Sequence, residues 1–474
     1  MTLTRMRLPS HRAGRGVCTI TCIAFLIAIS AQLVKTEEPQ VFAILNARII
    51  PVSGATIEKG IIVIRHGVIE AVGANVAVPG DARVFDASGL TAYPGMIDAF
   101  SDIGLEEPTA ARGAAPAAAT PTPARGAPQA QQQAPSTTSP EERQGLTPYR
   151  RGFEEINPAN RKIESARAVG ITTTAAVPRR GFFPGQGTLL NLSGPELGNM
   201  VIKPATFFYV NTAGRGGGGG GGAYPGSLMG IFAFVKQTFL DADHYGLAWN
   251  IYGSNPGAER PEYSRALEAL QPALRREMPV ILPANSPVEI QRALELADAF
   301  KLNVTLEGCA EGGKIASVLK SRNITILLAV KYPDRPAGTD PDVREELDSL
   351  RRRVEAPANA AALAKAGVRF AFVSDDMANL RDFINNIGRA IEAGLDKEIA
   401  LRALTLIPAE MLGVSDRLGT IEKNKTANLI LATGDIFDQR TRVKYAFIDG
   451  RKFDITEPQP TSSETTGRRG GPGR

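Results

Sequence analysis

The sequence is poor in the residue types that form crosslinks and transition-metal sites. Its 474 residues include three cysteines and three histidines. Cys18 and Cys22 lie in an N-terminal apolar segment, so Cys309 is the only cysteine in the rest of the chain. A single cysteine excludes an internal disulfide and any zinc site built from cysteines alone. The fold must therefore be held together by its core.

Residues 1–31 have the organisation of an export signal. Arginines at positions 5, 7, 12 and 15 precede the apolar run VCTITCIAFLIAISA, residues 17–31, which ends in small residues. The run has about 15 residues, fewer than the ~20 of a bilayer span, and the polar sequence KTEEPQ follows at once. We expect cleavage near Ala31, which leaves an exported, periplasmic or secreted protein without a membrane span. The alternative is an uncleaved anchor.

The positive charge of the chain belongs mostly to this segment. Removing residues 1–31 takes away four arginines and no acidic residue, so the formal net charge falls from +5 to about +1. A nearly neutral chain offers no electrostatic argument for nucleic-acid binding.

Three further segments have few large apolar side chains. Residues 106–145 are rich in Ala, Pro and Gln, residues 213–226 form a glycine tract, and residues 456–474 form a short basic tail. Such compositions cannot offset the loss of chain entropy on folding, so we predict that all three are disordered. No Gly-Lys-Ser/Thr follows the glycines, which argues against a phosphate-binding loop.

The two ends of the chain both have the character of β-strands. Residues 41–50 and 60–73 are rich in β-branched residues, and the second segment contains Arg65-His66-Gly67-Val68, which is typical of a hairpin turn. Residues 418–453 have the same pattern. We predict one composite β-domain, built from residues 40–92 and 414–455.

Between these ends, short apolar runs alternate with helical patterns. Strands are predicted in 279–283, 303–308, 324–329 and 368–376, and helices in 288–300, 314–321, 359–367 and 379–394. This alternation indicates parallel β/α units, and their number favours a (β/α)8 barrel over residues 93–413.

Three stretches then resemble the amidohydrolase superfamily, in particular its imidazolonepropionase-like members. They are residues 60–105, which contain Pro94-Gly95-Met96-Ile97-Asp98, residues 367–376 (GVRFAFVSDD), and residues 398–454, which contain RLGTIE at 417–422 and Asp449-Gly450-Arg451. The resemblance implies an α/β fold, a TIM-type barrel with a composite β-sandwich domain. It also implies a divalent metal that activates water for attack on a non-peptide C–N bond.

The ligand positions that the resemblance implies are mostly filled by other residues. Two histidines are expected after the first strand, where the chain has Phe100 and Asp102. The histidines of the fifth and sixth strands fall near Asn285 and near Glu307-Gly308-Cys309. Only the eighth-strand aspartate is present, as Asp375. The usual metal pattern is therefore missing.

The histidines elsewhere do not replace these ligands. His11 lies in the export signal, and we expect His66 at the hairpin turn and His244 on a helix surface.

Two alternatives for the chemistry of the site remain open. A divalent metal, Mg²⁺, Ca²⁺ or Mn²⁺, is bound by carboxylates drawn from Asp98, Asp102, Glu307, Glu311, Asp375 and Asp376.

In the second alternative, Asp102 and Asp375 act as catalytic acid and base without a metal, and Asn285, Glu307 and Asp376 bind substrate.

Cys309 has no histidine to activate it, which favours a buried structural role over a nucleophilic one.

The sequence leaves open whether the protein is an enzyme. The first hypothesis is an exported amidohydrolase-related protein, a hydrolase by family, in which catalysis is reduced, altered or lost. The alternative is a non-catalytic barrel that binds a small molecule, or an interaction protein in a homo- or hetero-oligomer.

Overall fold

The computed structural model describes residues 41–106, 143–213, 225–255, 257–335, 340, 342–375 and 377–455. The predicted signal segment and C-terminal tail lie outside these residues, as do most of the two internal segments predicted to be disordered. Within the described ranges, no helix has both the length and the apolar character needed to cross a membrane.

The described chain contains eighteen strands. In chain order they are β1 (Val41–Ile49), β2 (Ile57–Arg65), β3 (Val68–Gly73), β4 (Arg83–Asp86), β5 (Thr91–Pro94), β6 (Met96–Ser101), β7 (Ile171–Ala176), β8 (Gly185–Gln186), β9 (Thr188–Asn191), β10 (Val201–Lys203), β11 (Phe208–Tyr209), β12 (Val280–Ala284), β13 (Val304–Gly308), β14 (Thr325–Ala329), β15 (Arg369–Val373), β16 (Leu429–Ala432), β17 (Val443–Ile448) and β18 (Arg451–Asp454).

Twelve α-helices lie in the same ranges. They are α1 (Arg161–Val169), α2 (Leu197–Met200), α3 (Leu228–Ser254), α4 (Arg265–Ala269), α5 (Gln271–Leu274), α6 (Pro287–Ala299), α7 (Ala316–Ser321), α8 (Leu347–Glu355), α9 (Asn359–Lys365), α10 (Leu380–Glu392), α11 (Lys397–Leu404) and α12 (Leu406–Met411). The predicted helices and strands between residues 279 and 394 are confirmed, with ends that differ by at most three residues.

Strands from both ends of the chain share one eight-stranded sheet. Its order is β18-β17-β16-β5-β1-β2-β3, with β4 paired to β1. The early and late segments meet where β5 runs antiparallel to β16, with Tyr93 opposite Ile430. The turn between β2 and β3 has φ angles of 49° at His66 and 79° at Gly67, the left-handed conformation that tight hairpins require.

The central strands form two sheets. One has the order β10-β9-β7-β6 and the other the order β15-β14-β13-β12-β11-β8. Strands β11 to β15 are parallel neighbours, as are β6 and β7. An isolated parallel bridge between Ser101 and Asp375 joins the end of β6 to the residues after β15.

The prediction that these units are parallel throughout is wrong between β7 and β11. Strand β9 runs antiparallel to β7, and β8 runs antiparallel to β11. A parallel return needs a crossover of about a dozen residues or more, usually containing a helix. The chain between Ala176 and Thr188 is too short for one, so β9 returns in the opposite direction and the sheets are mixed.

Strands of both sheets contribute side chains to one apolar cluster. Side chains alternate between the faces of a strand, so every second residue points to the same side. Ile97 of β6, Ile281 of β12 and Leu327 of β14 belong to one buried cluster with Phe100 and Tyr209. Their neighbours along the strands pack in a second cluster together with residues of the surrounding helices.

Helix α6 shows how local sequence fixes an element next to the strand ends. Ser286 accepts a hydrogen bond from the Glu289 backbone N–H at 3.3 Å, and the Glu289 carboxylate accepts one from the Ser286 N–H at 3.2 Å. This reciprocal capping satisfies backbone donors at the start of the helix. It also fixes Asn285, whose N–H donates to the same carboxylate at 2.7 Å.

Replacing Ser286 with alanine removes one side of this cap, so we expect Ser286→Ala to lower the free energy of unfolding by about 1 kcal/mol. Urea denaturation measures the change. Arg292→Ala on the exposed face of the same helix is the matched control, expected to stay within about 0.5 kcal/mol of the wild type. Equal losses in both variants would contradict the role of the cap.

Candidate functional site at the strand ends

A cavity of about 1320 Å³ lies where the central strands end. Residues at or just after the carboxyl ends of six of the strands line it, namely Asp102, Arg179, Tyr209, Asn285, Glu307 and Asp375. In parallel α/β proteins this end of the strands carries the functional residues. The geometry therefore marks this cavity as the candidate site.

The structure brings together four of the five residues predicted for the site. Asp102, Asn285, Glu307 and Asp375 all line the cavity. The fifth, Asp376, lies outside the described residues. Glu307 is buried, with 6% of its surface exposed.

The Asp375 carboxylate is paired with an arginine that sequence reasoning missed. Its Oδ1 lies 2.7 Å from Nη1 of Arg179, which follows β7, and each side chain is about one quarter exposed, at 24% and 27%. Asp375 itself has a φ angle of 53°, a left-handed conformation that aspartate tolerates better than most residues. The ion pair ties the loop after β7 to the end of β15.

Aromatic rings surround the Arg179 guanidinium. Its central carbon lies 4.1 Å from the centre of the Phe100 ring and 5.9 Å from that of Tyr209. A cation over an aromatic face is attracted by the ring's negative face. Burial opposes the charge, but the nearby Asp375, Tyr209 and Glu307 outweigh it, and the pKa of Arg179 lies above its usual value. The guanidinium is thus a permanent positive charge at the strand ends.

Asp102 is also paired with a cation. Its Oδ2 lies 2.6 Å from Nζ of Lys162, in helix α1. Asp102 and Asp375 therefore share the cavity, and each carboxylate already has a positive partner.

Asp98 is a buried carboxyl beneath this site. Ser374 donates to it through its hydroxyl and through its backbone N–H, the latter at 3.2 Å, and the Phe100 N–H donates at 3.4 Å. Burial raises the pKa of Asp98 to about 7, although these hydrogen bonds and the charge of Arg179 act in the opposite direction. The contact joins β6 to the end of β15.

The remaining candidate residues have structural surroundings. Cys309 is buried, and burial raises the pKa of its thiol, which disfavours the nucleophilic thiolate. Glu311 forms an ion pair with Lys314 at 3.3 Å. His66 lies at the β2–β3 turn, and His244 is exposed on α3.

The residues at this position do not fit the divalent metal that the family resemblance implies. Phe100 offers no donor atom, Asp102 is paired with Lys162, and Asp375 is paired with Arg179. The guanidinium would also repel a second cation beside Asp375. Across the described part of the chain, no group of three or more His, Cys, Asp or Glu side chains is arranged to hold a metal ion.

Arg179, Tyr209 and Lys162 are the site residues that sequence reasoning missed. Arginine is neither a usual metal ligand nor a usual acid–base residue, so those two patterns do not point to it. A signal was present, because Arg179 and Arg180 follow Pro178 just after a strand-like segment that ends at Val177. Charged residues at the carboxyl end of a strand belong among site candidates.

Known proteins show similarity in both sequence and structure. Residues 299–453 match the model of the amidohydrolase family. The chain is similar to the crystal structure of an amidohydrolase from Thermotoga maritima MSB8, with 24% identity and a TM-score of 0.69, over 87% of this chain and 100% of that chain. No curated protein matches the sequence.

Two further structures are similar at lower identity. A second amidohydrolase has 16% identity and a TM-score of 0.53, covering 88% of this chain and 99% of its own. A Xaa-Pro dipeptidase with bound methionine in its active site has 15% identity and a TM-score of 0.50, covering 87% and 100%. These likenesses show a TIM-barrel-like α/β fold.

The buried Asp98 carboxyl predicts a dependence of stability on pH. Its pKa of about 7 in the folded protein lies above the ordinary 3.8, so folding favours the protonated form. The resulting stabilisation is fully present below the ordinary pKa and is lost as pH rises through about 7. Between about pH 5 and pH 8, the melting temperature of the wild type should therefore fall relative to that of Asp98→Asn.

Thermal unfolding of both proteins across this range measures the difference. Asp243→Asn, an exposed substitution on α3, is the control and should follow the wild type. Parallel pH profiles for the wild type and Asp98→Asn would show that the carboxyl does not titrate in this range.

Proposed function

We propose that this chain, a member of the amidohydrolase superfamily, binds a small molecule in the cavity at the strand ends, and that the metal-dependent hydrolysis of its family is lost or altered there. The family match supports a hydrolytic function and a small-molecule substrate at the coarse level. The loss or alteration of metal-dependent hydrolysis is the part of the proposal that concerns this particular site.

One observation carries the proposal, the 2.7 Å ion pair between Arg179 and Asp375. Asp375 is the single residue that agrees with the ligand positions implied by the resemblance. A guanidinium neutralises its carboxylate. Unlike a divalent ion, a guanidinium neither coordinates a water molecule nor lowers the pKa of that water. The cavity of about 1320 Å³ remains large enough for a small organic molecule.

A second candidate function is hydrolysis by carboxylates without a metal. Glu307 and Asp375 line the same cavity as Asp102, so a bound substrate could contact more than one acid. Proton transfer by a placed carboxylate is an ordinary catalytic device. An activity that is insensitive to chelators and lost in Asp375→Asn would favour this function over binding alone.

The proposal includes the organisation and location predicted from the sequence. The central strands close into a (β/α)8 barrel over residues 93–413, with a composite β-sandwich domain of residues 40–92 and 414–455. The shared apolar interior and the sheet formed by both chain ends support this division. The proposal also includes export directed by residues 1–31 and association with a second subunit. N-terminal sequencing of the secreted protein tests the predicted cleavage near Ala31.

Elemental analysis of residues 32–474, after equilibration with a mixture of divalent metals, tests the loss of the metal centre. We expect no stoichiometric ion, because Asp102 and Asp375 are already paired with cations. Assays with amide and lactam substrates should likewise show no hydrolysis that a chelator abolishes. A stoichiometric ion that is lost in Asp375→Asn, or zinc-dependent hydrolysis by the purified chain, would refute the proposal.

A further inference from the structure

Helix α3 has apolar side chains on two opposite faces. One face packs into the core and includes Ile231, Val235, Phe239, Ala242 and Tyr245. The other face also carries large apolar side chains, whose exposed fractions lie between 54% and 83%, namely Met229, Leu240, Leu247 and Ile251. A surface helix ordinarily places polar and charged residues on the side away from the core. An exposed apolar face of this kind marks an interaction surface.

The exposed apolar residues, together with the exposed Ala233, form one stripe along the helix. With the repeat of an α-helix, positions 229, 233, 240, 247 and 251 fall within about 40° of one another around the helix axis. At the rise of an α-helix, the stripe is about 33 Å long. This is about three heptads, which is long enough for two helices to pack side by side along it.

The stripe is symmetric about Leu240. Met229 and Ile251 lie eleven residues before and after it, and Ala233 and Leu247 lie seven residues before and after it. A two-fold axis at Leu240 pairs each position with the one at the same distance on the other side. Two antiparallel copies of α3 then place Met229 against Ile251, and the small Ala233 against the larger Leu247. The apolar spacing therefore fits a second copy of this chain.

The charges beside the stripe are complementary under the same symmetry. Lys236 lies four residues before Leu240 and Asp243 three residues after it, and both are exposed. With the repeat of an α-helix, both positions fall on the same flank of the stripe. In the antiparallel pair, Lys236 of one copy lies beside Asp243 of the other, and this contact occurs twice.

A membrane surface is another possible occupant of an apolar helix face. Helices that lie on membranes are rich in Lys and Arg on their polar face. Helix α3 contains one lysine, no arginine and two aspartates. This charge pattern disfavours a lipid surface and fits a second copy.

We propose that the stripe of helix α3 is a dimer interface, in which two copies of the chain pack antiparallel about a two-fold axis at Leu240. The inference rests on the association with a second subunit in the proposed function, and it names the surface and the partner. Dimerisation removes the exposed apolar side chains from water. Lys236 and Asp243 fix the antiparallel orientation.

Sedimentation equilibrium of residues 32–474 measures the association, since this chain lacks the apolar residues 17–31, which can associate on their own. We expect the mass of two chains in concentrated solution and of one chain on dilution. Leu240→Glu places two carboxylates against each other at the axis, so the dissociation constant should rise at least about a hundredfold. Its circular dichroism spectrum should stay that of the wild type, because Leu240 is exposed. Val354→Glu, at an exposed apolar residue of α8, is the matched control and should dimerise like the wild type.

Crosslinking locates the axis. Leu240→Cys places two thiols opposite each other, so a mild thiol oxidant should give a covalent dimer. Leu247→Cys, from the same stripe, is the control. Its two copies lie about 21 Å apart along the antiparallel pair and should stay uncrosslinked. The buried Cys309 is common to both variants.

The outcomes separate this inference from the function beneath it. A monomer at every concentration would overturn the inference and the proposed association, but not the small-molecule cavity. A dimer that persists in Leu240→Glu would retain the association and overturn this surface. Equal crosslinking of Leu240→Cys and Leu247→Cys would refute the antiparallel pairing about Leu240.

Discussion

The charge balance around Asp375 at the strand ends depends on one partly buried cation. The Arg179 guanidinium contacts Asp375 at 2.7 Å, lies over the Phe100 ring and is near Tyr209. The strand ends otherwise bring together the carboxylates of Glu307 and Asp375, whose like charges would repel each other without compensation. One arginine from the loop after β7 offsets that repulsion and joins distant parts of the chain.

Hydrogen bonds between Asp98 and Ser374 also join distant parts of the chain, beneath the Arg179–Asp375 ion pair. Asp98 is at the centre of β6, and Ser374 follows β15, directly before Asp375. The buried carboxyl therefore fixes the backbone that carries the Asp375 side chain, and Asp375 in turn orients the guanidinium. Asp98 itself is buried outside the residues that line the cavity.

Local sequence pattern was sufficient to predict most elements but not their partners. Helix α6 and strand β12 follow from apolar periodicity and a capping sequence, which are local properties. The antiparallel return of β9 depends on which strand it meets, and periodicity does not contain that information. Asp102, Asn285, Glu307 and Asp375 could be predicted because they stand at or beside the ligand positions that the family resemblance implies. Arg179 pairs with a residue 196 positions away, and no local rule predicts such a contact.

Replacing a metal ion with a guanidinium changes what a site of this kind can do. A divalent ion has open coordination positions and brings the pKa of bound water toward neutrality, so it both binds a substrate and supplies the nucleophile. A guanidinium has no open position, keeps its protons and acts only by charge and directed hydrogen bonds. It can therefore retain the recognition of an anionic group while the means of activating water is gone. Under the proposed function, the same TIM-barrel-like framework binds a small molecule, with a fixed cation among the residues that line a large cavity.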